Sequence, residues 1–188
     1  EFAEDTPSRR LGHAPALAEF RIGNERAAGA VSQIDHRPGL RTGDLMVITD
    51  HINLIPNPLI GPNIDELGTR FPDMSEPYSR KLIALSDEVA RKAGIPLQHG
   101  CYIGVTGPTF ETQKEYSFYR TAGADTVGMS TTPEVIAARH MGLPVFAVSI
   151  ITNMGLAGLK STHEEVQAEG AKAEVRMTKL FTGLLEEL

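Results

Sequence analysis

Cysteine, long apolar runs and basic clusters are scarce in this 188-residue sequence. The one cysteine, Cys101, excludes an internal disulfide, and no Cys/His cluster of the zinc type surrounds it. It lies in an apolar run and fits a small core residue better than a nucleophile. No apolar stretch approaches the ~20 residues that a membrane span needs. We therefore expect no metal, no membrane and no disulfide framework.

The charge balance indicates which kinds of molecule are not expected to be the main partner of the protein. The formal net charge is −6 and there is no long basic run, which argues against nucleic acid or an anionic membrane as the main partner. Residues 1–5 are mostly acidic and lack the basic and apolar regions of a signal peptide. Together with the low cysteine content, this predicts a reducing, cytoplasmic setting.

The length fits one domain over residues 1–188 with a sizeable core. Residues 1–26 show little pattern, whereas residues 51–74 form a long segment rich in proline and glycine that we expect to be a loop. A loop of this length is usually functional or crosses to a neighbouring subunit. Its apolar members need burial, which makes a subunit interface one candidate; they are Ile55, Leu59, Ile60, Leu67 and Phe71.

Strand and helix patterns alternate along the rest of the chain, which predicts an α/β fold with a parallel sheet between helices. Three Thr-x-x-Glu capping boxes start helices, at Thr112, Thr131 and Thr162, and Ser75 is expected to cap a helix that Gly94 ends. The predicted strands are 44–50, 101–105, 125–129 and 144–151. The predicted helices are 75–93, 113–122, 132–141 and 163–188.

Three strand-to-helix junctions carry residues suited to a ligand. Because parallel strands end at one rim of a sheet, we expect these residues to meet there. They are Phe110 and Glu111 at the first junction, Met129 and Ser130 at the second, and Asn153 with His163 at the third. A helix N-terminus with a serine suits phosphate, and carboxylate and amide groups suit the edge of a heterocycle.

Each of these residues also has a purely structural interpretation. Glu111 fits a solvated loop carboxylate, Met129 a core residue, Ser130 a helix cap, Asn153 a turn residue and His163 an exposed first-turn residue. No Ser-His-Asp set is evident, so covalent acyl chemistry is not favoured. The residues alone therefore predict a phosphate and heterocycle site and leave its reaction open.

From about residue 27 to the end, the sequence resembles the trimeric class of purine nucleoside phosphorylases. The motifs that carry the resemblance are Asp50-His51-Ile52-Asn53-Leu54, Gly61-Pro62-Asn63, Gly107-Pro108-Thr109-Phe110-Glu111-Thr112, Val127-Gly128-Met129-Ser130-Thr131-Thr132-Pro133-Glu134-Val135, Ala138-Arg139-His140, Thr152-Asn153 and His163-Glu164-Glu165-Val166. The resemblance implies a mixed, largely parallel sheet flanked by helices. It also implies cleavage of the purine–ribose bond by phosphate, with no cofactor.

The resemblance further implies a role for each matching residue. Glu111 would hold the purine N1–H and 2-amino edge, Asn153 would bond N7 and O6 of the leaving base, and His163 would orient the ribose 5′-hydroxyl. Ser130 and the backbone near Ala27 would contact phosphate. Phe110, Tyr102 and Val127 would line the base pocket, and Met129 would pack on the ribose. Phe71 would cover the site of a neighbouring subunit in a homotrimer.

Residues 1–26 depart from the family. The family carries a longer amino-terminal part with a Gly-rich phosphate loop and an Arg-x-His segment, and neither motif is present. We expect a truncated, rearranged or incompletely represented chain that lacks amino-terminal sheet strands and exposes an edge or an apolar face. An inactive purine-binding or assembly module is therefore the alternative. A methylthioadenosine phosphorylase is less favoured, since that branch is expected to carry Asp at position 153 and an apolar residue at 163.

Overall fold

The computed structural model describes residues 32–33, 40–154 and 163–188, with the backbone alone for 32–33 and 163–167. Four helices and six strands alternate along these ranges. The strands are β1 (Ser32–Gln33), β2 (Leu45–Asn53), β3 (Leu97–Gly104), β4 (Thr126–Gly128), β5 (Val148–Ile150) and β6 (Asn153–Met154). The helices are α1 (Arg80–Ala93), α2 (Gln113–Thr121), α3 (Thr132–His140) and α4 (His163–Glu186). In the part of the chain described, no helix has the length and apolar character to cross a bilayer.

The six strands form one mixed sheet in the order β5-β2-β3-β4-β1-β6. Strands β2, β3 and β4 run parallel, as predicted, and β1 is parallel to β6. The parallel orientation expected from the alternation fails at β5, which pairs antiparallel with β2, and the unpredicted strand β1 pairs antiparallel with β4. The predicted α/β class with a mixed, largely parallel sheet is confirmed.

The sheet must curl so that its two edges approach each other. Ile150 lies in edge strand β5 and Asn153 in edge strand β6. Three residues of chain reach at most about 11 Å. Five strand spacings in a flat sheet would separate the two edges by about 24 Å. The sheet is therefore curved, and Asn153 lies near β5, the strand that precedes it in the sequence.

The core lies on both faces of the sheet. Along β3, Tyr102 packs into a cluster with Met46, Tyr78 and Val135, whereas its neighbour Ile103 packs on the other face with α2. This alternation follows from the two-residue period of a strand. Helices α1 and α4 cover a third cluster around Leu45, Val89, Ala173 and Leu180.

Helix α1 begins five residues later than predicted. Ser75 does not cap it, because its amide and hydroxyl both bond the Asp73 carboxylate in a tight turn. Ser79 is the N-cap instead, and its side chain accepts from the Leu82 amide at 3.4 Å. Gly94 ends the helix as predicted, with a φ of 68° that favours glycine.

Other strand boundaries also differ from the prediction, and β3 begins at Leu97 instead of Cys101. Strand β2 continues to Asn53, so the long loop begins at Leu54 and not at His51. The predicted strand 144–151 is reduced to β5. The third predicted capping box, at Thr162, falls outside the described residues, although α4 begins at His163 as expected.

Candidate functional site

The loop that follows β3 packs directly against the end of β4. Gly107 has a φ of 58°, and a Cβ atom there would overlap the sulfur atom of Met129. Only a residue without a side chain allows this approach. The loop that leads to Glu111 therefore touches Met129, the residue that precedes Ser130.

Glu111 is half-buried at the end of this loop. Its Oε2 accepts a hydrogen bond from the hydroxyl of Tyr116, at 2.9 Å. The capping box predicted at the next residue is present. Thr112 Oγ1 accepts a hydrogen bond from the Glu115 amide at 3.3 Å, and Glu115 Oε2 accepts one from the Thr112 amide at 2.6 Å. Hydrogen bonds that the Thr112 amide and the Thr112 hydroxyl donate to this carboxylate lower the pKa of Glu115. Glu111 is thus attached to the start of α2 and is not a freely solvated carboxylate.

The second junction contains a strained turn. Thr131 has φ 71° and ψ −54°, and the Thr132 amide donates to the Ser130 carbonyl at 2.8 Å. This is the γ-turn with positive φ, which is rare for a non-glycine residue. The capping box predicted at Thr131 is wrong, because Thr131 makes no side-chain cap bond in this conformation. Its hydroxyl lies 3.2 Å from that of Ser130 instead.

The buried side chain of Tyr102 contacts this turn through a hydrogen bond. Its hydroxyl accepts from the Ser130 amide at 3.3 Å, and burial raises the pKa of the phenol. Gly128 is required here, since a Cβ atom would overlap the Tyr102 hydroxyl. A fully buried side chain therefore fixes the position of the Ser130 backbone.

The first residue of α3 joins the ends of two more strands. Thr132 Oγ1 donates to Asn53 Oδ1 at 2.6 Å, and the bare Cα of Gly104 leaves room for the threonine. Asn53 in turn donates to the Ile55 carbonyl at 2.8 Å. Residue-by-residue reasoning did not assign these supporting roles, although Asn53 stands in the Asp50–Leu54 motif. The sequence signal for Asn53 and Thr132 was their presence in motifs that carry the resemblance.

Asn153 lies level with β4 because of strand pairings that the sequence did not predict. Ser32 pairs with Val127 on one side and with Asn153 on the other, so Asn153 lies level with Val127 two strands away, about 10 Å apart. It does not follow a strand parallel to β4, which was the reason for the prediction. Asn153 Oδ1 accepts from the Thr152 hydroxyl at 3.2 Å.

The predicted base-contacting residues are spread over the two faces of the sheet. Val127 pairs with Ile103 and Tyr102 with Thr126, so the side chains of Val127 and Tyr102 lie on opposite faces. Both are fully buried. Phe110 lies at the surface of the loop and is 40% exposed. Ala27 and the side chain of His163 lie outside the described residues.

Phe71 projects from the long loop and is 84% exposed. It borders a groove of about 530 Å³ that His51 and Asn53 also line. The guanidinium carbon of Arg70 lies 5.3 Å from the centre of its ring. Other large apolar side chains of the same loop are also exposed: Leu54, Ile60, Ile64 and Leu67.

His51 forms the inner wall of that groove. Its Nδ1 lies 3.0 Å from the hydroxyl of the buried Tyr78, and burial lowers the pKa of the imidazole. Within the described ranges, no group of three or more His, Cys, Asp or Glu side chains could hold a metal ion.

Comparison with known proteins gives one consistent family. The model of the "Phosphorylase superfamily" matches residues 22–186. Purine nucleoside phosphorylase 1 of Geobacillus stearothermophilus is 49% identical over 165 residues, which are 86% of this chain and 58% of the relative. Purine nucleoside phosphorylase 1 of Bacillus subtilis is 46% identical over 150 residues, 78% of this chain and 55% of the relative.

Solved structures agree with the sequence relatives. A Schistosoma purine nucleoside phosphorylase in complex with hypoxanthine has a TM-score of 0.81 and is 40% identical, covering 85% of this chain and 60% of that one. The chain thus spans a little over half the length of the relatives it matches. On these grounds it belongs to the phosphorylase superfamily and, within it, to the purine nucleoside phosphorylase family.

Proposed function

We propose that the chain carries the base-binding part of a purine nucleoside phosphorylase, which converts 6-oxopurine (deoxy)ribonucleosides and phosphate reversibly into the base and (deoxy)ribose 1-phosphate. The observation that carries the proposal is the contact of Gly107 with Met129. It supports a shared site for the half-buried Glu111 and the Ser130 turn, because it joins the two loops on which they lie. A carboxylate can accept from purine N–H groups, and a serine at a helix N-terminus can bind an anion.

In this proposal the chemistry proceeds without a cofactor, and phosphate is the co-substrate. A phosphate oxygen bonds to C1′ as the C1′–N9 bond breaks, and the electron pair of that bond moves onto the purine. Asn153 stabilises the charge that develops at N7 and O6, which is transition-state stabilisation by a preorganised group. Glu111 holds the N1–H edge, and His163 orients the 5′-hydroxyl.

Substrate contacts complete the proposed site. Ser130 and the backbone at Ala27 bind phosphate, and Met129 packs on the ribose. Phe110 and Val127 pack against the base, and Tyr102, whose side chain lies on the opposite face of the sheet, has an indirect role. Of these, Tyr102 acts through the Ser130 amide that it already holds.

A homotrimer is part of the same proposal. The exposed ring of Phe71 and the apolar side chains around it support an interface at the long loop. Phe71 would then cover the site of a neighbouring subunit. A cytoplasmic setting also remains part of this proposal.

An inosine phosphorolysis assay with varied phosphate tests the proposal. The expected result is hypoxanthine release that requires phosphate and saturates with it. The second candidate is a purine-binding module without catalysis. Calorimetry separates the two: hypoxanthine binding with no phosphorolysis supports the module, and no binding at all contradicts both.

A further inference from the structure

One buried hydroxyl outside the proposed set of contacts reaches the site. Tyr116 is only 7% exposed, and its ring packs in the cluster that contains Ile103 and Val127. Its hydroxyl donates to Oε2 of Glu111 at 2.9 Å. A hydrogen bond to a carboxylate is stronger than one between neutral groups. A core residue is thereby connected to a carboxylate at the rim of the sheet.

The donor belongs to a rigid element, whereas the acceptor belongs to a loop. Tyr116 lies in the first turns of α2, where its amide bonds the Thr112 carbonyl at 3.1 Å. The complete capping box at Thr112 and Glu115 fixes the start of that helix. A glutamate side chain loses rotamer freedom when it binds a ligand, and a bond already present in the free protein reduces that loss.

We propose that Tyr116 is a positioning residue for the purine base. It fixes the Glu111 carboxylate through Oε2, so that the remaining acceptor positions of that carboxylate meet the N–H groups of a 6-oxopurine. The inference rests on the proposed function, since it assigns Tyr116 to the same base-binding carboxylate. Tyr116 itself does not touch the substrate.

The position of the bond determines which kinetic constant responds. Glu111 holds the base both before and during bond cleavage, so a misplaced carboxylate weakens binding in both states. Loss of uniform binding raises KM and changes kcat little. Tyr116→Phe is therefore expected to raise the KM for inosine about tenfold, which corresponds to the upper end of the cost of immobilising one flexible side chain on binding.

Hypoxanthine calorimetry on the chain tests the inference directly. Tyr116→Phe should raise the Kd for hypoxanthine about tenfold. Tyr119→Phe is the matched control, because Tyr119 is equally buried on the same helix and in the same cluster. It should change the Kd by less than about twofold, because in the described part of the chain the hydroxyl that donates to Glu111 belongs to Tyr116 and not to Tyr119.

A urea-unfolding cycle provides a readout that needs no ligand. Tyr116→Phe should lower the unfolding midpoint in the unsubstituted chain and lower it less in a Glu111→Ala background, where the partner is absent. Equal losses in the two backgrounds would show that the hydroxyl is not coupled to Glu111 and would overturn the inference.

The outcomes separate this inference from the proposed function. Unchanged hypoxanthine binding by Tyr116→Phe overturns the inference alone, as does an equal loss in Tyr119→Phe. Failure of the unsubstituted chain to bind hypoxanthine overturns both. A selective loss in Tyr116→Phe, with coupling to Glu111 in the unfolding cycle, supports both.

Discussion

Two segments of this chain share the pattern Thr-x-x-Glu and fold differently. At Thr112 the pattern forms a complete capping box, with both reciprocal bonds present. At Thr131 it forms none, and the backbone adopts a γ-turn with a φ of 71°. The first segment follows its local sequence, whereas the second follows its tertiary contacts. The turn that deviates is the one proposed to bind phosphate.

Two tertiary hydrogen bonds next to the second turn explain the difference. The Ser130 amide donates to the buried Tyr102 hydroxyl, and Thr132 donates to Asn53 on another strand. These two bonds fix the residues on either side of Thr131. A residue held in a sparsely populated conformation costs of order 1–3 kcal/mol and persists only where its surroundings determine it. Such strain is commonly found at functional sites.

The largest effect is expected where the tertiary support is removed. In Gly128→Ala, the new methyl group overlaps the Tyr102 hydroxyl, which should lower the free energy of unfolding by about 1–3 kcal/mol and displace the Ser130 turn. Urea denaturation measures the loss.

Two controls accompany that variant. Adding Tyr102→Phe to Gly128→Ala removes the overlapping oxygen and should restore part of the stability. Gly170→Ala, in α4 with no atom near the added methyl group, should be neutral or stabilising. If Gly128→Ala were as stable as the unsubstituted chain, the account of the turn would be wrong.

A smaller effect should distinguish the two threonines directly. Thr112→Ala removes a cap bond and should cost about 1 kcal/mol of unfolding free energy. Thr131→Ala removes no cap bond and should cost less than about 0.5 kcal/mol. The same substitution at the two sites is compared by chemical denaturation. Equal costs would mean that the two segments are capped alike.

The smallest effect concerns acid stability. Bonds from Thr112 lower the pKa of Glu115, so its contribution is fully present above the usual glutamate pKa and is lost as the pH falls through the lowered one. Glu115→Gln should therefore flatten the loss of stability at pH values below the usual glutamate pKa.

Glu134→Gln is the matched control for that titration. Thr131 offers Glu134 no capping-box bond, so this substitution should change the unfolding midpoint less than Glu115→Gln does. A larger change in Glu134→Gln than in Glu115→Gln would reverse the comparison.

The features that depend on local chemistry were predictable from the sequence. These include the capping box at Thr112, the end of α1 at Gly94, the parallel order of β2, β3 and β4, and the start of α4 at His163. Each depends on residues within a few positions of one another or on simple alternation. The family and the fold class followed from motifs in their order along the chain.

The features that depend on distant contacts were not predictable. The antiparallel β5 and the curvature that brings Asn153 level with Val127 depend on pairing partners far away in sequence. Ser75 failed as a cap because Asp73 competes for its bonds. Tyr116 gave no sign of its bond to Glu111, because its helical position suits an ordinary core residue.

The most direct test of the whole account is hypoxanthine binding by Glu111→Gln and Glu115→Gln, measured side by side by calorimetry. Both substitutions replace a carboxylate in the same short segment, but only Glu111 is proposed to meet the base. The account predicts that Glu111→Gln weakens binding at least about tenfold, as expected for loss of a charged acceptor, while Glu115→Gln binds as the unsubstituted chain does. Equal binding by the two variants would contradict it.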